Sequence, residues 1–278
     1  MRIEIGHNME WAGVGDQIIL SAVAREARRE YPKAEIVLKY TSPQEVVDSI
    51  FGGNPDIDKY EWGLLKEPMT DWKDGHMTEK ACRYLGFKAK NIHGDIHLTD
   101  KELIVAKKTL ELLSGDRPVI MAAMNSSTSE RDWKEEHWEE IVSMLSEKYD
   151  VYQLGQSVLY YQTTTLPPLM QAPVPEYLRG YKKEYLDGMP MVCSTIKGSR
   201  QEFRNFGLRK TFALMFVSGK YFGVDTGYMH AASCFGNDNF VFIGSKDSEM
   251  WTYPDNKNFF RNEPFQEIKE RIKNDWMQ

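Results

Sequence analysis

The sequence predicts an α/β protein with two parallel-sheet domains in tandem. Three observations carry this. Short apolar runs of strand type alternate with stretches of helical periodicity along most of the 278 residues. The alternation stops at Ser114-Gly115-Asp116 and starts afresh with Pro118-Val119-Ile120-Met121-Ala122. A strand, tight turn, helix and strand then follow one another between residues 220 and 244.

In chain order, Ile3-Glu4-Ile5 reads as a first strand. Gly13-Val14-Gly15-Asp16 opens a helix whose apolar positions Ile18, Ile19, Ala22, Val23 and Ala27 recur at helical spacing. Glu35 to Tyr40 is the next strand, Pro43 starts a short helix through Ile50, and Ile57 to Tyr60 is a short third strand. Residues 74–86 read as helix and 96–98 as extended. Thr99 or Asp100 caps an amphipathic helix over 101–113. Beyond the break come strand 118–124, helix 135–148 and strand 151–154. Residues 165–205 interrupt the rhythm with Pro, Tyr and basic side chains. Helix 208–218, strand 220–224, the turn at Asp225-Thr226-Gly227, a helix through Phe235 and strand 240–244 restore it. Pro264 to Trp276 reads as a terminal helix. The expected organisation is therefore an N-terminal domain over 1–115 and a C-terminal domain over 116–262 with an insertion at 165–205. Helix 263–278 is expected to cross back onto the first domain, because no strand is evident after residue 262.

Composition narrows the function. Hydrophobic residues make up 41% and charged residues 27%, as in a globular domain. No apolar run approaches the ~18 residues of a membrane span, and Met1-Arg2-Ile3-Glu4-Ile5 does not read as a signal peptide. Cys82, Cys193 and Cys234 are far apart and odd in number, which suits ordinary thiols in a reducing compartment. A cytoplasmic protein is expected. The net charge of −6 gives no general attraction to nucleic acid. Residues 1–114 carry 16 Lys/Arg and 19 Asp/Glu, and the remainder 19 and 22, so neither half is a basic domain.

The turn at Asp225-Thr226-Gly227 is the most informative segment. Its backbone N–H groups and the positive end of the following helix dipole aim at one point, which suits a phosphate. Gly227 lets backbone approach a ligand closely. His230 falls one helical turn in, on the face that looks back at the turn. Asp16 sits at a helix start beside Gly13 and Gly15, where a carboxylate is also stabilised simply by the dipole. Ser126, Ser127 and Thr128 follow a buried strand and are turn formers in their own right. Asp56-Ile57-Asp58 has the spacing of a metal-binding Asp pair, but its place at a Gly-Asn-Pro turn into a strand marks it as structural. His93 and His97 lie on one face of an extended run, too far apart for a metal pair and with no third ligand evident.

Three segments, in order, resemble the ADP-heptose:lipopolysaccharide heptosyltransferases of glycosyltransferase family 9. They are Gly13-Val14-Gly15-Asp16-Gln17-Ile18-Ile19 with Tyr31-Pro32-Lys33-Ala34-Glu35-Ile36, Ser126-Ser127 through Arg131-Asp132-Trp133-Lys134-Glu135-Glu136-His137-Trp138, and Asp225-Thr226-Gly227 with His230-Ala231-Ala232. The chain departs from that pattern in its short first half. It also has Arg131-Asp132-Trp133 where the family has Lys-x-Trp-Pro. The resemblance implies the GT-B fold: two Rossmann-like, doubly wound parallel-sheet domains with a C-terminal helix crossing back. It implies an inverting transfer of a sugar from a nucleotide-diphosphate sugar to an acceptor hydroxyl. Asp16 would be the base, with Gly13 and Gly15 keeping the acceptor side open. Ser126, Ser127, Arg131, Asp225, Thr226, Gly227 and His230 would hold the donor diphosphate, with no metal and no cofactor. The implied acceptor is a glycan or lipid-linked glycan. The basic, aromatic stretch at 165–210 motivates an alternative, a bacteriophage-type transferase acting on 5-hydroxymethyl-pyrimidine bases of DNA. A non-catalytic sugar-nucleotide-binding module is the alternative of another class.

Overall fold

The computed structural model describes residues 1–7, 13–67, 75–126, 133–156, 158–160, 190–244 and 250–278. Ser127 and Arg131 lie outside the described residues, as does most of the stretch at 165–205.

The first half holds a three-stranded parallel sheet in the order β1 (Arg2–Gly6), β2 (Glu35–Tyr40), β3 (Lys59–Trp62). Helix α1 (Val14–Glu30) links β1 to β2, α2 (Gln44–Phe51) precedes β3, and α3 (Met77–Tyr84) and α4 (Asp100–Ser114) follow it. Asp58 is structural, as its sequence context suggested. Its carboxylate accepts from the Ile36 N–H at 2.7 Å and the Arg28 guanidinium at 2.6 Å, and these two bonds hold its pKa down.

The second half holds a five-stranded parallel sheet of β4 (Val119–Ala123), β5 (Asp150–Gln153), β8 (Lys220–Val224), β9 (Asp238–Ile243) and β10 (Lys257–Phe260). Helices α5 (Glu135–Leu145), α6 (Leu208–Ser218) and α7 (Gly227–Cys234) connect them, and an antiparallel ribbon of β6 (Val158–Tyr160) and β7 (Pro190–Val192) stands apart. Spatially the order is β5-β4-β8-β9-β10. The chain thus reverses direction across the sheet between β4 and β8, the switch point beside which open parallel sheets bind ligands.

Alternation along the strands sorts the core into two layers. Ile120, Ala122, Phe222, Val224, Phe240 and Phe242 point to one layer, with Trp138, Ile141 and Leu145 of α5. Met121, Ala123, Tyr221, Val241 and Ile243 point to the other, which runs on through α6 and α7 into α1 and the first sheet. The two halves therefore share one core. α4, which the sequence places in the first domain, packs along α6. Arg209 of α6 clasps the junction through the Glu102 carboxylate at 2.6 Å, the Ser49 carbonyl at 3.1 Å and the His97 carbonyl.

The terminal helix corrects the expectation drawn from sequence. α8 (Phe265–Trp276) does not cross back. Its stripe of Ile268, Ile272 and Trp276 joins the α5 layer on the second sheet. The Trp276 ring meets Phe240 edge-on at 4.9 Å, and its indole N–H donates to Asp238 at 2.6 Å. The physical reason is β10. This fifth strand, unforeseen in the sequence, extends the sheet past α5 with Phe259 on the outer face, and α8 covers that apolar surface.

Candidate active site

A cleft of about 590 Å³ opens between the two halves. It is lined by the first turns of four helices: Gly13 to Asp16 of α1, Glu45 and Val46 of α2, Gly207 and Leu208 of α6, and Thr226 to Tyr228 of α7. The N-caps of these four helices, Gly13, Pro43, Gly207 and Thr226, make no side-chain cap bond. Their amide N–H groups and dipoles are thus directed at a shared space, each dipole worth about 0.3–1 kcal/mol to an anion at an exposed site. The ends of β4 and β8, on either side of the switch point, contribute Asn125, Ser126 and Asp225.

The two halves meet at glycine. A Cβ on Gly227 would lie 2.6 Å from Val14 Cγ1 and 2.7 Å from its Cβ, and a Cβ on Gly15 would lie 2.5 Å from His230 Cδ2. Both glycines are explained by close approach, and His230 is seated on the first turn of α1. Its Nδ1 pairs with the hydroxyl of the fully buried Tyr253 at 2.9 Å. Burial first, then nearby Cys234, Asp225 and Asp255, raises the Tyr253 pKa far above the usual value, so the phenol keeps its proton. Among the described residues, His230 Nδ1 is the hydrogen-bond partner of that hydroxyl. A buried O–H needs an acceptor, and His230 Nδ1 is placed to serve as one for Tyr253. His93 stacks on Tyr253 with centroids 4.7 Å apart, and its Nδ1 lies 3.1 Å from the Ser233 carbonyl. His97 instead offers its carbonyl to Arg209. The two histidines serve separate structural ties.

Asp16 accepts the Gly13 N–H at 2.7 Å, which fixes one carboxylate oxygen at the cleft mouth. His7 lies at the carboxyl end of β1, close to Asp16. Its burial lowers its pKa, opposed by the Asp16 charge. Asn205 has the left-handed backbone conformation (φ 56°) that Asn tolerates, and its N–H donates to the Gly155 carbonyl at 2.9 Å. That contact brings the loops after β5 and before α6 together under the cleft, with Phe206 beside them.

Of the expected site residues, Asp16, Gly13, Gly15, Ser126, Asp225, Thr226, Gly227 and His230 line this one cleft. His7, Asn125, Asn205, Tyr253 and Trp251 escaped the sequence reading. For His7 and Asn125 the signal was their position just past a buried parallel strand. The described basic residues of the 165–210 stretch are largely spent on structure. Arg200 pairs with Asp150 and Glu202, Arg204 with Thr195, Gln156 and Cys193, and Arg209 with Glu102.

No family model matches the sequence, and no curated protein matches it. Solved structures do. A glycosyl transferase family 9 protein from Veillonella parvula DSM 2008 superposes with a TM-score of 0.66 at 13% identity, over 98% of this chain and 89% of that one. E. coli ADP-heptose lps heptosyltransferase II gives 0.64 at 13% identity, over 100% and 99%. E. coli heptosyltransferase WaaC with ADP gives 0.53 at 12% identity, over 99% and 98%. Over nearly its whole length, the chain shares the fold of the family 9 glycosyltransferases and heptosyltransferases.

Proposed function

We propose that the protein is a family 9-type, GT-B glycosyltransferase that moves a sugar from a nucleotide-diphosphate donor to an acceptor hydroxyl with inversion. The observation that carries this is the convergence of four helix N-termini from both halves on one cleft, which Asp16, its carboxylate anchored on the Gly13 N–H, also lines. The α7 turn, Ser126 and His230 supply donors for a diphosphate. Ser127 and Arg131, outside the described residues, belong to the same proposed donor site. In this reading the acceptor enters past Gly13 and Gly15. Asp16 takes the proton from its hydroxyl as the oxygen attacks the anomeric carbon. The bond from that carbon to the phosphate oxygen breaks, and the nucleoside diphosphate leaves with its charge stabilised by the helix dipoles. The solved WaaC structure holds ADP, which supports a nucleoside diphosphate as the ligand class. Dipoles and side chains serve in place of a cation, so transfer is expected to survive EDTA. The acceptor we favour is a glycan or lipid-linked glycan, the class that the resemblance to family 9 implies.

A thermal-shift panel of ADP, UDP, GDP and CDP tests the donor reading. A ligand that binds the folded state alone raises stability by about 2.7 kcal/mol at one hundred times its Kd. One member of the panel should raise Tm with saturation, and its monophosphate should do so far less. No shift with any diphosphate contradicts the reading.

A further inference from the structure

Gln153, the last residue of β5, is fully buried and carries an unusual number of bonds. Its Oε1 accepts the Ile196 backbone N–H at 3.0 Å, the Gln201 side-chain amide at 3.1 Å and the Ser199 hydroxyl at 3.2 Å. Its Nε2 donates to the Ser194 carbonyl at 2.8 Å and to Asn125 Oδ1 at 3.0 Å. Oxygen and nitrogen of an amide are normally hard to tell apart. Here the backbone decides. The Ile196 N–H can only donate and the Ser194 carbonyl can only accept, so Gln153 has one possible orientation. Its nitrogen therefore faces Asn125, and Asn125 must answer with its oxygen. The NH₂ of Asn125 is the branch left for other partners, and Asn125 lines the cleft at the end of β4, beside the switch point.

We propose that Asn125 is a ligand-binding residue whose amide NH₂ donates to a phosphate oxygen of the nucleoside diphosphate, and that Gln153 is the positioning residue that holds it so. This rests on the donor reading above and extends it to a residue and a chemistry. Phosphate oxygens only accept, so an amide locked with its nitrogen outward selects for them. A freely flipping Asn would present either end. The lock also ties the cleft to segment 194–201, because four of Gln153's five partners lie there.

The substitution Asn125→Asp separates the ligand role from the structural one. An aspartate still accepts from Gln153 Nε2, so the fold keeps its contact, but the group turned toward the cleft becomes an anion. Isothermal titration with inorganic pyrophosphate and with ADP, UDP, GDP and CDP, beside the ligand-free Tm, reads the outcome. The expected result is a ligand-free Tm within about 3 °C of wild type and a loss of at least tenfold in affinity for pyrophosphate and for the bound nucleotide alike, the size expected for a charged or polar contact of roughly 1.4 kcal/mol or more. A second arm follows the Asn125 side-chain NH₂ pair by ¹⁵N–¹H correlation, assigned by its absence in Asn125→Asp. That pair should shift on addition of pyrophosphate to the wild type. If the wild type binds and Asn125→Asp binds equally well, or the NH₂ pair does not move, the assignment of Asn125 is wrong while the donor reading stands. If the wild type binds neither pyrophosphate nor any of the four nucleotides, the donor reading itself fails and this inference with it.

Discussion

The contact between Gly227 and Val14 can be tested as a pair. Gly227→Ala places a methyl 2.6 Å and 2.7 Å from two Val14 carbons and 3.2 Å from the Gly15 nitrogen. All three belong to the first turn of α1, which cannot swing aside as the end of a long side chain can. Overpacking of this kind costs about 1–3 kcal/mol. The gain in helix propensity from Gly to Ala, up to about 1 kcal/mol, offsets part of it. A net loss of roughly 0.5–2 kcal/mol is expected. Val14→Gly removes both offending carbons and leaves only the 3.2 Å contact. Adding it to Gly227→Ala should therefore cost less than it does alone. The four-protein cycle, read by urea unfolding, should show a coupling of about 1 kcal/mol or more in favour of the double variant. Gly227→Ala alone should also weaken nucleoside diphosphate binding, because the two helix N-termini no longer close on the same point. Sites that do not touch add within about 0.3–0.5 kcal/mol. Additivity of that quality would refute the contact between the two turns.

Two further outcomes follow from buried groups elsewhere. His76 caps α3 by accepting the Thr78 N–H, and burial, then the charges of His230 and His93, lowers its pKa from 6.5 to about 3. The unfolded chain binds a proton there below pH 6.5 while the folded chain does not, so this contribution to stability is present above pH 6.5 and declines as pH falls toward 3, by about 1.4 kcal/mol per unit. His76→Asn keeps a capping oxygen and removes the titration, so urea unfolding between about pH 6.5 and 5 should show a pH slope shallower by one proton; an unchanged slope would count against a neutral buried His76. Trp276→Ala empties the seat of α8 on the second sheet and should cost about 3–5 kcal/mol. A loss under 1 kcal/mol would argue against that docking.

Much of the cleft was legible in the sequence, for one physical reason. Asp16, Ser126 and the Asp225–His230 turn each follow a buried parallel strand, and strand ends in such sheets gather on one side. The resemblance to family 9 grouped them in one site, and the strand ends explain why the fold brings them together. What escaped depends on contacts far along the chain. Gln153 reads as one polar residue in an apolar strand, and its bonds reach partners 28 to 48 positions away. Tyr253 precedes a Pro-Asp-Asn turn, where nothing local announces that its hydroxyl pairs with His230. The stripe Ile268, Ile272, Trp276 says that α8 buries a face, but not which sheet receives it. β10 decides that, and its run Lys257-Asn258-Phe259-Phe260 is too short and polar to stand out.

The central claim is that one cleft holds a donor on the α7 side and a base at Asp16. Asp16→Asn tests it most directly, with nucleotide binding by calorimetry and sugar transfer measured on the same preparation. The substitution is nearly isosteric and removes basicity alone. The account predicts nucleoside diphosphate affinity close to wild type and a kcat lower by roughly 10²–10⁴, as for loss of a general base. Full turnover in Asp16→Asn would contradict it and place the base elsewhere.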